Sequence, residues 1–593
     1  MTRVLAIALA AWLIGLCSLL PLSAQETVTT ATNRHNLSTS GPGPVKAQAT
    51  SEICIFCHTP HNANPVTPLW SQALSSASYT SYASSTMNAT VGVPQGSSKL
   101  CLSCHDGTVA LGNIAGSGQL PMTGLPTGKL TGSSSLGTNL GDDHPISFVP
   151  VTGSTVVNPP AGSPVALDPN GQVQCVTCHE PHQQDIDATT KKFLVMNNSS
   201  SSMCLVCHRP AYWSSNPSSH MTSTKPFAAG QGAHTGYTTV ATNGCESCHK
   251  PHTATTAARM LKGVEEQTCG SCHGPSAIGR NIQAEFSKTY NHPTYRITPS
   301  VHDASEAPNN PSHTLPEVSG AAPRHAECED CHNGHASYAA STAAPKGSGA
   351  VAGVWGINRS NTLVQPSGSP PSVNEYEICF KCHADSANMP QAGGAPAPPY
   401  PNRVAPQFNK RLQFDSTAVS YHPIEAAAKA TTSPSLKSPW TRTSIMRCTD
   451  CHDSDTGPKA PTPGTGPAGP HGSSFKHLLA GRYDMDNSNT TESAAAYALC
   501  YKCHDRTIVL STTSFREHDR HVRSENASCS ICHDPHGISG AQGTTLNNAH
   551  LVNFDKRFVT PSSSGLLKWE QTSPGRGRCY LTCHGDNHNP ESY

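Results

Sequence analysis

The chain has 593 residues, of which 36% are apolar, 6% aromatic and 13% charged, with 47 Gly and 49 Pro. So small an apolar fraction cannot fill large cores, and so much Gly and Pro excludes long regular helices and wide sheets, leaving mostly loop and turn. Thirty-nine Lys plus Arg balance 39 Asp plus Glu, which removes the basic excess that nucleic acid or an anionic membrane demands of a partner.

Residues 1–24 read as an export signal: Arg3, an apolar run from Val4 to Leu22, then Leu22-Ser23-Ala24 before Gln25. An uncleaved anchor is the alternative, because the run is just long enough to span a bilayer. Cys17 lies inside the run, and bulky Leu16 ahead of it disfavours lipidation. No other segment is apolar and long enough to cross a membrane as a helix, so no integral span is expected after signal removal. The periplasm or the outer cell surface is the expected destination.

The remaining 24 of the 25 cysteines form twelve close pairs, each followed directly by histidine. In chain order they are Cys54/Cys57/His58, Cys101/Cys104/His105, Cys175/Cys178/His179, Cys204/Cys207/His208, Cys245/Cys248/His249 and Cys269/Cys272/His273. The second half holds Cys328/Cys331/His332, Cys379/Cys382/His383, Cys448/Cys451/His452, Cys500/Cys503/His504, Cys529/Cys532/His533 and Cys579/Cys583/His584. Eleven are CxxCH and the last is CxxxCH. CxxCH is the attachment signature of haem c: two thiols form thioethers to one porphyrin and the adjacent imidazole reaches the iron. Zinc ribbons need two CxxC units per metal and impose no histidine after the second cysteine. The expected cofactors are therefore twelve haems c, the twelfth on a loop one residue wider.

The motifs repeat in twos. Odd-numbered motifs carry a second histidine three residues on, giving His61, His182, His252, His335 and His536, whereas even-numbered motifs do not. In the ninth motif a Pro/Gly-rich insertion, Gly457 to Pro470, displaces this residue to His471, whose Pro470-His471-Gly472 echoes Pro535-His536-Gly537. An apolar step then precedes the second site in five of the six modules, module four lacking a clear one: Leu69-Trp70, Phe193-Leu194, Met260-Leu261, Leu478-Leu479 and Leu566-Leu567. The predicted fold is a multihaem cytochrome c of irregular loop and short helices, with a haem-stacked core and an extended string of six dihaem modules. Their bounds are 25–135, 136–225, 226–285, 286–395, 396–512 and 513–593, with Gln391 to Gln407 and Gly457 to Pro470 as spacers or insertions.

Each iron needs a second axial ligand. Twenty histidines lie outside the motifs and the ten methionines recur at no fixed place, so all-histidine ligation is arithmetically open. A histidine three residues after the proximal one cannot easily reach the opposite face of its own porphyrin. His61, His182, His252, His335, His471 and His536 are therefore expected on other haems, most simply the second haem of their own modules. The first haem of each module is then assigned His35, His144, His234, His292, His422 and His521. His325 competes with His292, and His302, His313 and His518 are close alternatives. His220, His477, His550 and His588 read as surface or propionate-contacting residues.

The sequence resembles the doubled-CxxCH multihaem cytochromes of dissimilatory metal-reducing bacteria, in particular their secreted and outer-surface members. The resemblance is carried by Arg34-His35-Asn36-Leu37-Ser38, Ile53-Cys54-Ile55-Phe56-Cys57-His58-Thr59-Pro60-His61-Asn62, Leu100-Cys101-Leu102-Ser103-Cys104-His105-Asp106-Gly107 and Arg324-His325-Ala326-Glu327-Cys328-Glu329-Asp330-Cys331-His332. It implies mainly bis-histidine haems stacked into an electron-transfer chain, serving anaerobic respiration with other redox proteins or extracellular metal oxides as partners. An electron-transfer protein rather than an enzyme is expected, with catalytic residues none. The alternatives are an oxidoreductase with one open haem acting on a nitrogen or sulfur substrate, and a self-assembling subunit of a haem filament.

Overall fold

The computed structural model describes residues 28–61, 63, 69–84, 87–116, 118–213, 218–227, 236–275, 279–294, 326–385, 401–485, 491–573 and 575–593. The signal-like run with Cys17, and also His234, His302, His313 and His325, lie outside them, as does the 391–400 part of one predicted spacer. Among the described residues no helix is long and apolar enough to cross a membrane.

Irregular backbone dominates. The chain forms two compact units: one takes the described residues up to Arg209 and those between Ala229 and Lys262, the other those between Pro210 and Ala228 and from Gly263 to Tyr593. Strands are mostly two-residue antiparallel ribbons, such as Lys46–Ala47 with Met122–Thr123 and Tyr290–Asn291 with Gly472–Ser473. The exception is a three-stranded antiparallel meander at the C-terminus, Lys568–Ser573, Arg576–Cys583 and Asp586–Ser592.

Many of the helices sit on the attachment motifs, and others, such as Gln283–Phe286 and Lys410–Phe414, lie between them. Eleven of the twelve start a helical turn at or just before their first cysteine, as in Cys175–Cys178, Cys204–Cys207, Cys328–Cys331 and Cys529–Cys532. Reciprocal capping by Gln174 with Thr177, Glu327 with Asp330 and Asn374 with Glu377 nucleates turns too short to be stable alone. The second, sixth and eighth motifs end longer helices, Gly96–His105, Glu265–His273 and Glu375–His383, which run through the motif histidine. At the odd motifs the chain instead turns extended at the histidine and bridges an apolar residue downstream: His58 to Trp70, His179 to Leu194, His249 to Leu261, His452 to Leu479 and His533 to Val552. The apolar step is therefore real in these modules, with one correction: in the last it is Leu551-Val552, not Leu566-Leu567. Leu69, Phe193, Met260, Leu478 and Leu551 all take positive φ, which tucks the bridge back against the motif.

Apolar clusters are small and have motif cysteines at their edges. Tyr376, Phe380, Phe414 and Tyr421 pack beside Cys448, Cys451 and Cys503. Ile531, Phe554, Val559 and Trp569 pack beside Cys532, Cys579 and Cys583. The insertion Gly457 to Pro470 is a folded loop, pinned by Gly466 N–H on Thr456 O (2.8 Å) and Ser454 N–H on Gly469 O (3.1 Å).

Candidate haem sites

Within each unit, consecutive motifs abut. The first cysteine of an even motif lies against the first cysteine of the next odd one: Cys101 with Cys175, Cys204 with Cys245, Cys269 with Cys328 and Cys379 with Cys448. Backbone joints hold these contacts. Ser98 Oγ accepts from Cys175 N–H and Ser201 Oγ from Cys245 N–H, both at 3.0 Å, and each serine stands three residues before its own motif. Further on, Glu265 Oε1 accepts from Glu329 N–H at 2.6 Å and Glu375 Oε1 from Thr449 N–H at 3.0 Å. Second cysteines approach one another inside modules: Cys57 raises the Cys104 thiol, Cys207 raises Cys178 and Cys503 raises Cys451, after burial, the larger cause. Burial holds Cys104, Cys178 and Cys451 up at about 12, so as free thiols they would be poor nucleophiles and poor metal ligands.

Cys248 and Cys272 are each anchored within their own compact unit. The predicted module 226–285 is divided between the two units at Lys262 and Gly263, so that Cys248 belongs to the first unit and Cys272 to the second. The physical reason lies in where each cysteine is anchored. Cys248 closes the helical turn Gly244–Cys248, and its carbonyl accepts from Lys262 N–H at 3.0 Å, which folds the chain back into the first unit just before the division. Cys272 lies near the end of the helix Glu265–His273, whose Cys269 meets Cys328 of the second unit. The Cys272 carbonyl accepts from Gly279 N–H at 3.1 Å, and its sulfur accepts from Ser271 Oγ at 3.7 Å. Both thiols are half-buried.

The histidines are arranged in facing pairs. In the first unit His35 faces His105, His58 faces His182, His144 faces His208 and His179 faces His252, with ring centres 6.1–6.2 Å apart. In the second unit the pairs are His220–His273, His292–His383, His332–His471, His452–His536, His518–His533 and His521–His588, at 5.9–6.4 Å. Two imidazoles on opposite sides of one metal, each bonded at about 2 Å with the ring centre about 1.1 Å behind the donor nitrogen, would stand about 6.2 Å apart. The spacing recurs while the interplanar angle runs from 4° to 89°, as expected where a shared central atom sets distance but not ring rotation.

Hydrogen bonding leaves one ring nitrogen free. Nδ1 of His105, His179, His332, His452 and His533 donates to the carbonyls of Ser134, Lys192, Ala350, His477 and His550 at 2.7–3.0 Å. Nδ1 of His182 reaches Glu180 Oε1 at 2.8 Å, and that of His252 reaches Asp143 Oδ1 at 3.1 Å. With Nδ1 protonated and held, Nε2 carries the lone pair a metal needs, and the ring cannot swing away. Burial lowers His35, His144 and His179 to about 4, so these imidazoles are neutral at physiological pH. Buried thiols, oriented neutral imidazoles and the recurrent 6 Å spacing fit covalent haem c with two histidines on the iron.

The upstream histidines dock on the segment that carries the second histidine of an odd motif. His35 Nδ1 donates to Pro181 O (2.8 Å), His220 to Gly334 O (3.0 Å) and His292 to Pro470 O (2.6 Å), each carbonyl one residue before His182, His335 and His471. His422 uses Pro535 O, beside His536, in the same way, and the charge of His422 lowers His504, the tenth motif histidine, after burial.

These placements correct the sequence-based pairing. His182, His252, His471 and His536 face the first motif of the preceding module, not the second motif of their own; His35, His144 and His292 face second motifs, not first ones. The extended segment after the odd motif carries the ring off its own site, and the upstream ring follows because it is bonded to that segment. His335 lies beside Trp213, with ring centres 5.9 Å apart. Among the described residues no imidazole faces His61, whose carbonyl accepts from Thr59 Oγ1. His220 and His588, read as surface residues, are members of pairs. His477 and His550 contribute through their backbone, each at positive φ with its carbonyl on a motif histidine. The signal for His220 lay in the repeat itself, since module three needs an upstream histidine docked on Gly334.

The family model described as the doubled CXXCH motif matches residues 168–211, 238–277 and 443–508. These matches indicate a multihaem c-type cytochrome, with haem c attached covalently through CxxCH motifs. No curated protein matches the chain.

Proposed function

We propose that the protein is a dodecahaem electron conduit in which iron is held between facing imidazoles and electrons pass between haems in the order of the motifs along each unit. The observation that carries this reading is the recurrence of imidazole pairs at 5.9–6.4 Å across both units. Haem, when bound, supplies a one-electron iron couple, which two imidazoles without methionine bias towards low potential. The chain's own residues do the rest. A histidine on each side closes the position a substrate would need, the Nδ1 bonds fix both rings, and the cysteine-to-cysteine joints bring neighbouring sites into contact.

Export and delivery of electrons to partner cytochromes or extracellular metal oxides follow from the signal-like residues 1–24 and the resemblance to secreted metal-reducer cytochromes. Two propionates per haem would add on the order of 24 negative charges to a balanced polypeptide, favouring basic docking faces on partner proteins. Low-temperature EPR of the oxidised mature protein, with a pyridine haemochrome count on the same sample, tests the reading. Twelve haems with only low-spin signals are expected; a stoichiometric high-spin signal would mean an open iron and an enzyme.

A further inference from the structure

Resting on the proposal that facing imidazoles hold iron, we infer that the twelfth site is ligated by His521 and His588, and that His584, the residue its CxxxCH motif nominates, is a turn residue. In nine of the ten described pairs one member is the histidine that directly follows a cysteine pair. The tenth, His521–His588, has the same spacing, 6.4 Å, with no motif histidine in it.

The local fold explains the exchange. Cys579 and Cys583 lie on the middle strand of the C-terminal meander, not on a helical turn. Cys583 pairs with Asp586, leaving His584 and Gly585 as the two loop residues, with φ of 53° and 88°. Positive φ at both positions is the type I′ hairpin turn, which Gly and short polar residues favour. Along a strand the five steps from Cys579 to His584 cover roughly 16 Å. The four steps of a CxxCH on a helix rise only about 6 Å. The hairpin therefore carries His584 to its tip and folds the next strand back, so that His588 comes to lie opposite Leu581, between the two cysteines in register.

The partners are prepared in the same way as at the other sites. His521 Nδ1 donates to Glu517 O at 2.9 Å, and His588 Nδ1 is 2.9 Å from the Tyr593 hydroxyl, leaving Nε2 of each ring free. His521 lies one turn after His518, which faces the eleventh motif's His533 at 6.1 Å. One helical turn thus serves both sites of the last module, where other modules use a Pro-His segment and an upstream histidine.

The test compares His588→Ala with His584→Ala in the mature holoprotein, by haem count and low-temperature EPR. H588A is expected to keep its haem count and gain a high-spin signal of one haem equivalent, while H584A keeps count and spectrum. A purely low-spin H588A, or a lost or high-spin haem in H584A, overturns the inference. His588→Met and His584→Met guard against misfolding: H588M should raise one midpoint potential and H584M none, and the reverse result overturns the inference equally. Failure of the wider conduit reading would show differently, as high-spin iron already present in the wild type.

Discussion

The ring of His182 stands 6.2 Å from that of His58 and only 13° from parallel to it, although 124 residues separate them in the chain. The second histidine of one CxxCHxxH segment therefore reaches back to the preceding module, and the same relation holds for His252 with His179, His471 with His332 and His536 with His452. Within each unit these facing rings join segments far apart in the chain, which suits a protein with so few apolar residues.

Replacing His182 with Met should keep haem attachment intact and raise a single midpoint potential by on the order of 0.1 V, within the span that axial ligands cover. The altered haem should be the one bound by Cys54 and Cys57, identified by repeating the titration in a Cys54→Ala/Cys57→Ala background, where the shifted component disappears. A shift that survives removal of that haem would restore the within-module pairing.

Ser98 joins the second and third motifs, accepting from Cys175 N–H at 3.0 Å and donating to Gln174 Oε1 at 2.5 Å, fully buried. Ser98→Ala leaves a buried N–H unsatisfied and should cost about 1–3 kcal/mol. Denaturant unfolding of the holoprotein reads this as a lower midpoint at unchanged slope; an unaltered midpoint would mean the joint contributes nothing.

Gly472 follows His471, and a Cβ there would meet Glu285 O at 1.8 Å. Gly472→Ala must push the Gly472–Ser473 strand off the helical turn Gln283–Phe286, which carries Glu285, and draw His471 off His332. EPR of the oxidised variant should show one haem turned high-spin or shifted in its low-spin g-values, with the haem count unchanged.

Acid should release ligands in a defined window. Burial, the main cause, holds the free imidazoles of His35, His144 and His179 down at about 4 in the folded chain against about 6.5 unfolded, and iron on Nε2 would oppose their protonation further. Between these values the unfolded chain binds more protons, so stability rises with pH and is lost progressively from about pH 6.5 down to pH 4. Thermal unfolding followed at the Soret band should give a melting temperature that is flat above pH 7 and falls below it.

The cofactor and the loop-rich fold were legible because CxxCH is a local signature and composition limits the core. The repeat of two was legible too, since His182, His252 and His536 recur at one spacing. Pairing was not, because it depends on where extended segments go after His179 or His452, and nothing local in the sequence sets that direction. His588 was missed because CxxxCH drew attention to His584, while the alternation from Lys568 to Ser592 around His584-Gly585, a hairpin signal, would have moved it to the tip of a turn.

The central claim, that facing imidazoles hold the irons, is tested most directly by near-infrared magnetic circular dichroism of the oxidised mature protein, which distinguishes His–His, His–Met and high-spin haem by their charge-transfer bands. The account predicts His–His bands alone, with intensity matching the haem count; a His–Met or high-spin band at the level of one haem or more would contradict it.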